Sequence, residues 1–452
     1  MLIHLLDMGF SEYGDCIVIH NDQKRILVDG AHKWDSDSLR AQFRKIFDHS
    51  APFHFDLLIM THLHDDHIGC LPELIGSGTV TASKCILMDP VYRWGDAAMD
   101  SAPANRDAFV DALLEEDHSF LSDDELEAFI LDSDAMRMRY TNMIRKLQEN
   151  AEVILFKGSD ADDFSALENE FKSLGLKILG PTANQLQITQ DALLGAADAI
   201  ADFVHSPAFV DSAPSLADRY RRFFSEGAVD SVIAMDAAKS KGSINNESIV
   251  LKFEADGWSA LLAADMQFAD PQVTGIEEEM EALLNKINEA GPYNFIKTSH
   301  HSSHNGLDEE MLDFWLEQGT EFFGHSGGLN DATHPHPDVL TILKDRKDRL
   351  KFARTDRNGL IRVGMDEDNE LSMWLSKGTI NNFARNKKVR REDRDDAEAI
   401  ASEAKEQENA SAAKQTLIVS PAADSSHIQF AANIPSDRAV RIIIEVDGEK
   451  KK

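Results

Sequence analysis

The sequence predicts an α/β protein, and two observations support this prediction. Short apolar segments rich in β-branched residues recur along the chain, and segments with a helical spacing of apolar residues separate several of them. Strands that alternate with helices are typical of layered folds in which helices cover a sheet. The polar motifs of the chain directly follow predicted strands, where side chains reach a sheet edge.

The first 180 residues contain most of the predicted strands. Apolar residues such as Leu39, Phe43 and Phe47 recur at helical spacing and predict a helix over 37–48. The run DLLIM predicts a buried strand that leads straight into a polar motif. The strands predicted in this part of the chain are 3–6, 15–20, 25–29, 56–60, 85–88, 152–156 and 176–179.

Two stretches rich in helical signals interrupt the alternation, at about 93–150 and 183–230. The first contains Ser122-x-x-Glu125, which has the form of a capping box at a helix N-terminus. In the second, apolar residues recur at helical spacing from Leu186 onward. We interpret both as helical insertions into a larger α/β domain, serving as packing material, as a lid or as a surface for a partner protein.

The second half of the chain returns to strands. Two apolar runs, 248–254 and 259–264, flank Asp256-Gly257, a dipeptide that favours tight hairpin turns, so we predict a β-hairpin. Further strands are predicted at 294–298 and 321–323.

The globular pattern fades near residue 380, so we expect the α/β domain to cover residues 1–380. Residues 381–414 are charged and poor in large apolar side chains, which predicts a linker or a solvated helix. Apolar, β-branched runs return over 415–452 and predict a small β-rich C-terminal segment.

Composition excludes several classes of function. The chain has 452 residues, with 79 acidic side chains against 46 basic ones and a formal net charge of −33. Such an acidic surface disfavours free, non-specific nucleic-acid binding. No apolar run approaches the roughly 20 residues of a membrane span, and three cysteines without CxxC spacing argue against a disulfide framework or a cysteine zinc site. We therefore expect a cytoplasmic protein without membrane contact.

The central motif is His62-x-His64-x-Asp66-His67, directly behind the predicted strand 56–60. Neutral imidazole nitrogens and carboxylate oxygens are the ligands that a borderline divalent metal such as Zn²⁺ prefers. A loop at a strand end allows all four side chains to turn toward one point. The motif therefore predicts a metal site.

Four residues of one loop do not complete a pair of metal sites, so we expect further ligands elsewhere. Asp265 ends the apolar run LLAA, at a position where side chains reach the sheet edge. Histidines follow the next predicted strand in the segment TSHHSSHNG, and two more stand between prolines in THPHP. The candidates in these two segments are His300, His301, His304, His334 and His336.

With these motifs, the sequence resembles the metallo-β-lactamase-fold hydrolases, and among them the soluble metallo-hydrolase domain of ComEC-type competence proteins. The segment THLHDDHIG carries the family's HxHxDH motif. Other segments similar to the family's, in the same order over most of residues 1–375, are LDMG, GDCIVI, VDG, LKILGP, NNESIVL, LLAAD, KTSHHSSHNG, THPHP and RTDRNG. The resemblance implies an αββα sandwich with two divalent ions, Zn²⁺ or Mn²⁺, at the sheet edges.

The sequence departs from the family pattern at identifiable positions. The two helical stretches are additional to the short family domain, and Ser302 and Ala264 stand where the family has glycine. No clear histidine lies between the first motif and Asp265 to serve as the third imidazole of the first metal. His205, in the second helical stretch, is a weak candidate for that role, and the pair that begins at His300 is the alternative.

The resemblance and the ligand types together predict a binuclear centre. We expect His62 and His64 to hold one ion, Asp66 and His67 to hold the second, and Asp265 to bridge the two. An imidazole from the C-terminal half completes each site, and the choice stays open among His300, His301 and His336.

The predicted reaction is hydrolysis, with nucleic acid as the first candidate substrate. Asp66 is expected to orient the nucleophile, and His304 and His336 to stabilise charge or protonate the leaving oxygen. The alternatives are a hydrolase of a small phosphodiester, ester or lactone beneath a helical lid, and a partner-binding scaffold with vestigial activity. A partner protein would bind the helical insertions or residues 384–452, where basic side chains cluster at 385–394.

Overall fold

The computed structural model describes residues 1–9, 13–95, 98–99, 108–115, 121–210, 215–225 and 242–386, all within one compact unit, Met1–Lys388. The predicted segment 415–452 and most of the predicted linker 381–414 lie outside these residues. The strands are β1 Leu2–Leu5, β2 Ile17–His20, β3 Arg25–Val28, β4 Phe53–Met60, β5 Val80–Met88, β6 Glu152–Phe156, β7 Lys177–Gly180, β8 Val250–Ala255, β9 Trp258–Leu262, β10 Phe295–Lys297, β11 Phe322–His325, β12 Lys351–Arg354, β13 Ile361–Met365 and β14 Leu371–Leu375.

The helices connect these strands or pack beside them. They include α1 Ser36–Phe47, α2 Asp65–Ile68, α3 Leu71–Gly76, α4 Val91–Trp94, α5 Ala108–Leu113, α6 Asp123–Gln148, α7 Ser165–Glu170, α8 Ala183–Val204, α9 Pro207–Val210, α10 Leu216–Ser225, α11 Glu277–Ala290, α12 Glu309–Glu317, α13 Pro337–Asp345 and α14 Thr355–Asn358. Each strand predicted within the described residues is present with ends shifted by a few residues, and α1 corresponds to the predicted helix 37–48.

The strands form two mixed sheets. One has eight strands in the order β14-β13-β1-β2-β3-β4-β5-β6, and the other has six in the order β12-β11-β10-β9-β8-β7. The predicted hairpin is confirmed: β8 pairs antiparallel with β9 through Asp256 and Gly257, whose φ angles of 56° and 80° suit a tight turn. The C-terminal strands β12–β14 were not predicted individually, and β13 pairs with β1 from the other end of the domain.

The core lies between the two sheets and continues on the outer side of the second. Along β9, Ala260 and Leu262 belong to the core that also contains apolar residues of the first sheet, whereas Leu261 packs with Met280 and Leu283 of α11. This alternation follows from the two-residue period of a strand with both faces covered. The α/β sandwich predicted from the sequence is confirmed.

A separate apolar core joins the helices α5, α6, α8 and α10, within the two stretches that we interpreted as insertions. The capping box predicted at the start of α6 is present: Ser122 and Glu125 exchange side-chain and backbone hydrogen bonds. Among the described residues, no helix combines the length and apolar character required to cross a membrane.

Candidate metal centre

The candidate site lies where the C-terminal ends of strands from both sheets meet. Strands β3 and β4 run parallel, so the residues after them, Asp29 and the loop from Thr61, share one edge of the first sheet. Strands β9 and β10 are also parallel and place Asp265 and the segment from His300 at one edge of the second sheet. The backbone N–H of Ile249 donates to the Thr61 carbonyl at 3.1 Å and joins the two edges.

Four predicted ligands form the centre of the site. Ligand atoms of Asp66, His67, Asp265 and His301 all lie within 4.8 Å of one another, and all four residues are buried. The Nε2 of His301 is 3.0 Å from Oδ2 of both carboxylates, and the Nε2 of His67 is 3.3 Å from the same two oxygens. Two imidazole nitrogens and two carboxylate oxygens therefore converge on one point.

The imidazole rings of His67 and His301 are both oriented by a partner at Nδ1, on the side away from the cluster. The Nδ1 of His67 lies 2.7 Å from Oδ2 of Asp29, and the Nδ1 of His301 donates to the Ser326 carbonyl at 3.0 Å. A hydrogen bond at Nδ1 fixes the tautomer and the ring orientation, and leaves Nε2 to bind a metal.

His62 and His64 lie beside this cluster. The His62 ring centroid is 4.0 Å from that of His67 and 5.1 Å from that of His64. The Nδ1 of His62 faces the hydroxyls of Thr61 and Ser248 at 3.2 and 3.3 Å, whereas its buried Nε2 has no hydrogen-bond partner among the described residues. A buried nitrogen of this kind is available to a metal ion.

The electrostatics of the site favour bound cations. Burial opposes protonation of the two central histidines, yet the adjoining carboxylates raise the pKa of His301 to about 10 and that of His67 well above its ordinary value. Burial also opposes ionisation of Asp66 and Asp265, yet these histidines hold the pKa of both carboxyls well below the usual range. Burial lowers the pKa of His62, so its imidazole stays neutral, as metal binding requires. The donor set therefore fits divalent metal ions, which would replace the protons on the imidazoles of His67 and His301.

A left-handed backbone segment decides which histidine of the pair enters the cluster. His300, His301 and Ser302 have φ angles of 47°, 45° and 60°. In this conformation His301 faces the carboxylates, whereas His300 binds the Asn245 amide at Nε2 and the Asn305 amide at Nδ1, at 3.1 and 2.6 Å. The structure thus places His301 in the cluster and His300 outside it.

The other predicted histidines lie outside the cluster. His304 and His336 contact each other, with ring centroids 4.6 Å apart, and their catalytic roles stay predictions. His205 lines an apolar surface pocket among the helices. His334, a candidate from the segment THPHP to which we had assigned no role, has ring contacts with Tyr13 and His301, with centroids 5.2 and 6.1 Å away.

His334 is oriented by a carboxylate. Its Nδ1 lies 3.0 Å from Oδ2 of the buried Asp331, and its backbone N–H donates to Oδ1 of the same residue at 2.9 Å. The sequence signal for this residue is the doubled histidine of THPHP, which by itself does not distinguish His334 from His336.

Two charged residues beside the centre were also missed by the sequence analysis. Lys297 and Asp15 form a buried ion pair, and Asp15 donates its backbone N–H to the Asp66 carbonyl at 3.2 Å. This close approach requires glycine at position 14, where φ is 137° and a Cβ would lie 2.8 Å from that carbonyl. The sequence feature that could have indicated this ion pair is the lysine at the end of the apolar strand β10.

The loop of the first motif is also tied to the helical region. The fully buried guanidinium of Arg93 donates to the Leu63 carbonyl and pairs with Glu115, which in turn accepts the Asp65 N–H at 3.3 Å. Burial raises the pKa of Glu115 to about 7, although Arg93 opposes this rise. Helix α4 and the residues after α5 therefore help to position the loop.

Comparison with known proteins supports a metal-dependent hydrolase. Residues 11–129 match the family model of the metallo-beta-lactamase superfamily, a stretch that includes the whole His62–His67 motif. A search of curated proteins finds no match. The matched stretch, the two-sheet fold and the His/Asp cluster together indicate a metal-dependent hydrolase of the metallo-β-lactamase fold. The narrower resemblance to the competence-protein domain stays a prediction.

Proposed function

We propose that this protein is a binuclear metal-dependent phosphodiesterase that cleaves nucleic acid and is recruited to its substrate by a partner protein. The observation that carries this proposal is the buried convergence of Asp66, His67, Asp265 and His301 next to His62. The set contains more ligands than one tetrahedral ion requires.

In this proposal the candidate ligands divide between two ions. We assign His62 and His64 to one ion, and Asp66, His67 and His301 to the other. Asp265, whose Oδ2 faces the Nε2 atoms of His67 and His301, would complete the set. When bound, two divalent ions supply Lewis-acid polarisation of the phosphodiester and acidify water.

The protein's own side chains orient the attacking water and supply a proton to the leaving oxygen. Asp66 offers a carboxylate oxygen to orient the attacking water. We assign to His334, which is held by Asp331, the donation of a proton to the leaving oxygen. We assign to His304 and His336, whose rings contact each other outside the cluster, the stabilisation of charge on the transferring group.

The net charge of −33 supports recruitment over free binding. An acidic surface disfavours contact with a phosphate backbone away from the metal ions, while the ions themselves supply local positive charge. A partner that binds the helical region or residues 384–452 would overcome the repulsion.

Metal analysis tests the first part of the proposal. We expect about two ions per chain after reconstitution with Zn²⁺ or Mn²⁺ and removal of free metal. Asp265→Ala and His67→Ala are expected to bind less, whereas Asp37→Ala, whose side chain is 96% exposed, serves as the matched control. Fewer than one ion per wild-type chain would contradict a binuclear enzyme.

Substrate comparison tests the second part. The Mn²⁺-loaded protein is incubated with linear DNA, plasmid and RNA beside bis-p-nitrophenyl phosphate. We expect cleavage of nucleic acid, and a loss of more than about 100-fold in Asp265→Ala, because loss of an outer hydrogen-bond partner alone costs 10–100-fold. Turnover of the small ester alone would favour the alternative of a small-ester hydrolase, and no turnover at all would favour a scaffold.

A further inference from the structure

A buried ammonium group lies beside the candidate metal centre. Lys297 ends β10 after the apolar residues Phe295 and Ile296, and its side chain is fully buried. Its Nζ pairs with the Asp15 carboxylate and lies 3.3 Å from the Ala264 carbonyl oxygen. Burying an ammonium is costly unless fixed partners replace its water, so an apolar residue would suit this strand better on stability grounds alone.

The two oxygens of Asp265 have different surroundings. Oδ2 faces the Nε2 atoms of His301 and His67 at 3.0 and 3.3 Å. Oδ1 lies 3.8 Å from the Nζ of Lys297 and has no hydrogen-bond partner in the described part of the chain. The ammonium therefore attracts one oxygen of the carboxylate, and the other is directed toward the cluster.

Asp15 is close enough to the central histidines to take part in binding a metal ion. Ligand atoms of Asp15, Asp29 and His67 lie within 4.8 Å of one another, and Oδ1 of Asp15 is 4.0 Å from Nδ1 of His301, whose Nε2 faces the cluster. Asp29 binds His67 and Thr61, whereas the Asp15 carboxylate has the ammonium of Lys297 as its ion-pair partner.

We infer that Lys297 is a positioning residue of the metal centre, which keeps the Asp15 carboxylate out of the ligand set and presents Asp265 to the ions through Oδ2. This inference rests on the proposed metal-dependent function. Its consequence is a coordination position left open for water or substrate, as catalytic metal sites require.

Replacing Lys297 by Met keeps the side chain as far as Cε and removes the ammonium. Asp15 and Oδ1 of Asp265 are then free to bind the ions. We expect the variant to retain bound metal, because carboxylate oxygens are added and a positive charge is lost. We also expect kcat to fall about 10–100-fold, since the added carboxylate occupies the open position.

The test uses the full chain loaded with Co²⁺, whose visible absorption reports coordination geometry. Lys297→Met is expected to change the spectrum, and the double variant Asp15→Asn/Lys297→Met is expected to return it toward that of the wild type. Lys252→Met is the matched control, because Lys252 also lies on a strand and pairs with a carboxylate, Glu254, outside the cluster.

The outcomes separate this inference from the proposed function. A wild-type chain that binds no Co²⁺ overturns both. If the wild-type chain binds Co²⁺ and the Lys297→Met spectrum is identical to the wild-type spectrum, only the role of Lys297 is overturned. That role is also overturned if the spectrum of the double variant differs from the wild-type spectrum as much as that of Lys297→Met does. If Lys297→Met does not fold, Lys297→Gln, whose shorter side chain is polar but carries no charge, replaces it.

Discussion

Asp29 shows how one buried carboxylate organises the candidate site. Its Oδ1 accepts the Thr61 N–H at 2.8 Å, and its Oδ2 accepts the Thr61 hydroxyl at 2.6 Å and faces His67 Nδ1 at 2.7 Å. Burial raises the pKa of Asp29, while His67 and Thr61 limit the rise. The carboxylate thereby holds the first turn of the metal loop and directs the Nε2 of His67 into the cluster.

We expect Asp29→Asn to weaken metal binding by about 10–100-fold, because the amide does not hold the His67 ring as an ionised carboxylate does. Competition for Zn²⁺ with a chromophoric chelator measures the affinity. Asp48→Asn, which removes an exposed carboxylate at the end of α1, is the control and should bind as the wild type does. Equal affinity in Asp29→Asn would show that His67 is oriented by the loop alone.

The two positions where this chain lacks the family's glycine keep a glycine-like backbone. Ala264 has φ 45° and Ser302 has φ 60°, both in the left-handed region. The Ser302 hydroxyl lies 2.6 Å from the Thr298 hydroxyl and 3.1 Å from His325 Nδ1. These hydrogen bonds help to hold the strained turn that presents His301.

At the scale of elements, β1 and β2 carry an unusual contact between histidines. His4 and His20 are diagonal neighbours across the antiparallel pair, with Nε2 atoms 3.0 Å apart and stacked rings. Burial, then His20 and Arg362, lower the pKa of His4 to about 3. Burial, then Arg25 and the N-terminal amine, lower that of His20 to about 4, while Asp22 opposes the shift.

This pair should make the fold sensitive to acid. As pH falls below 6.5, the histidines of the unfolded chain bind protons, whereas the folded pair stays neutral. Stability is therefore lost between pH 6.5 and the lowered pKa of His4, about 3. The loss from His4 approaches at most about 1.4 kcal/mol per pH unit. Urea unfolding at a series of pH values should show a shallower acid loss in His4→Gln than in the wild type. Parallel curves would contradict the assignment.

Other connections between elements concern the helical region. Arg93 of α4 donates to the Leu63 carbonyl and pairs with Glu115, just beyond α5. A displacement of α4 or α5 would therefore also displace the metal loop. This contact links the helical region to the metal loop, and the roles of lid, partner surface and packing material stay predictions.

At the scale of the whole molecule, charge is the dominant feature. A net charge of −33 destabilises a compact fold through self-repulsion, and salt screens this repulsion as the Debye length falls from about 30 Å at 0.01 M to about 8 Å at 0.15 M.

We therefore expect the thermal unfolding midpoint of the metal-free protein to rise as NaCl increases over this range. Circular dichroism in the presence of a chelator measures it, with sucrose at matched osmolality as an uncharged control. A midpoint that falls with salt would show that specific ion pairs outweigh the net repulsion.

The sequence by itself determined the features that depend on near neighbours. Strands were identifiable from apolar runs, the hairpin from Asp256-Gly257, and the capping box from Ser122 and Glu125. The His62–His67 motif was recognisable because its candidate ligands lie within six residues, in the loop and the short helix α2 that follow β4. Local chemistry and period were sufficient for these predictions.

The tertiary structure alone decided which distant groups meet. Three consecutive left-handed residues selected His301 over His300, and chain packing brought His334 to the rim of the cluster. Asp15 and Lys297, far apart along the chain, become partners because strands of different sheets end at the same edge. Residue type and spacing do not encode such contacts, since side-chain direction and the approach of the two sheets depend on the packing of the whole core.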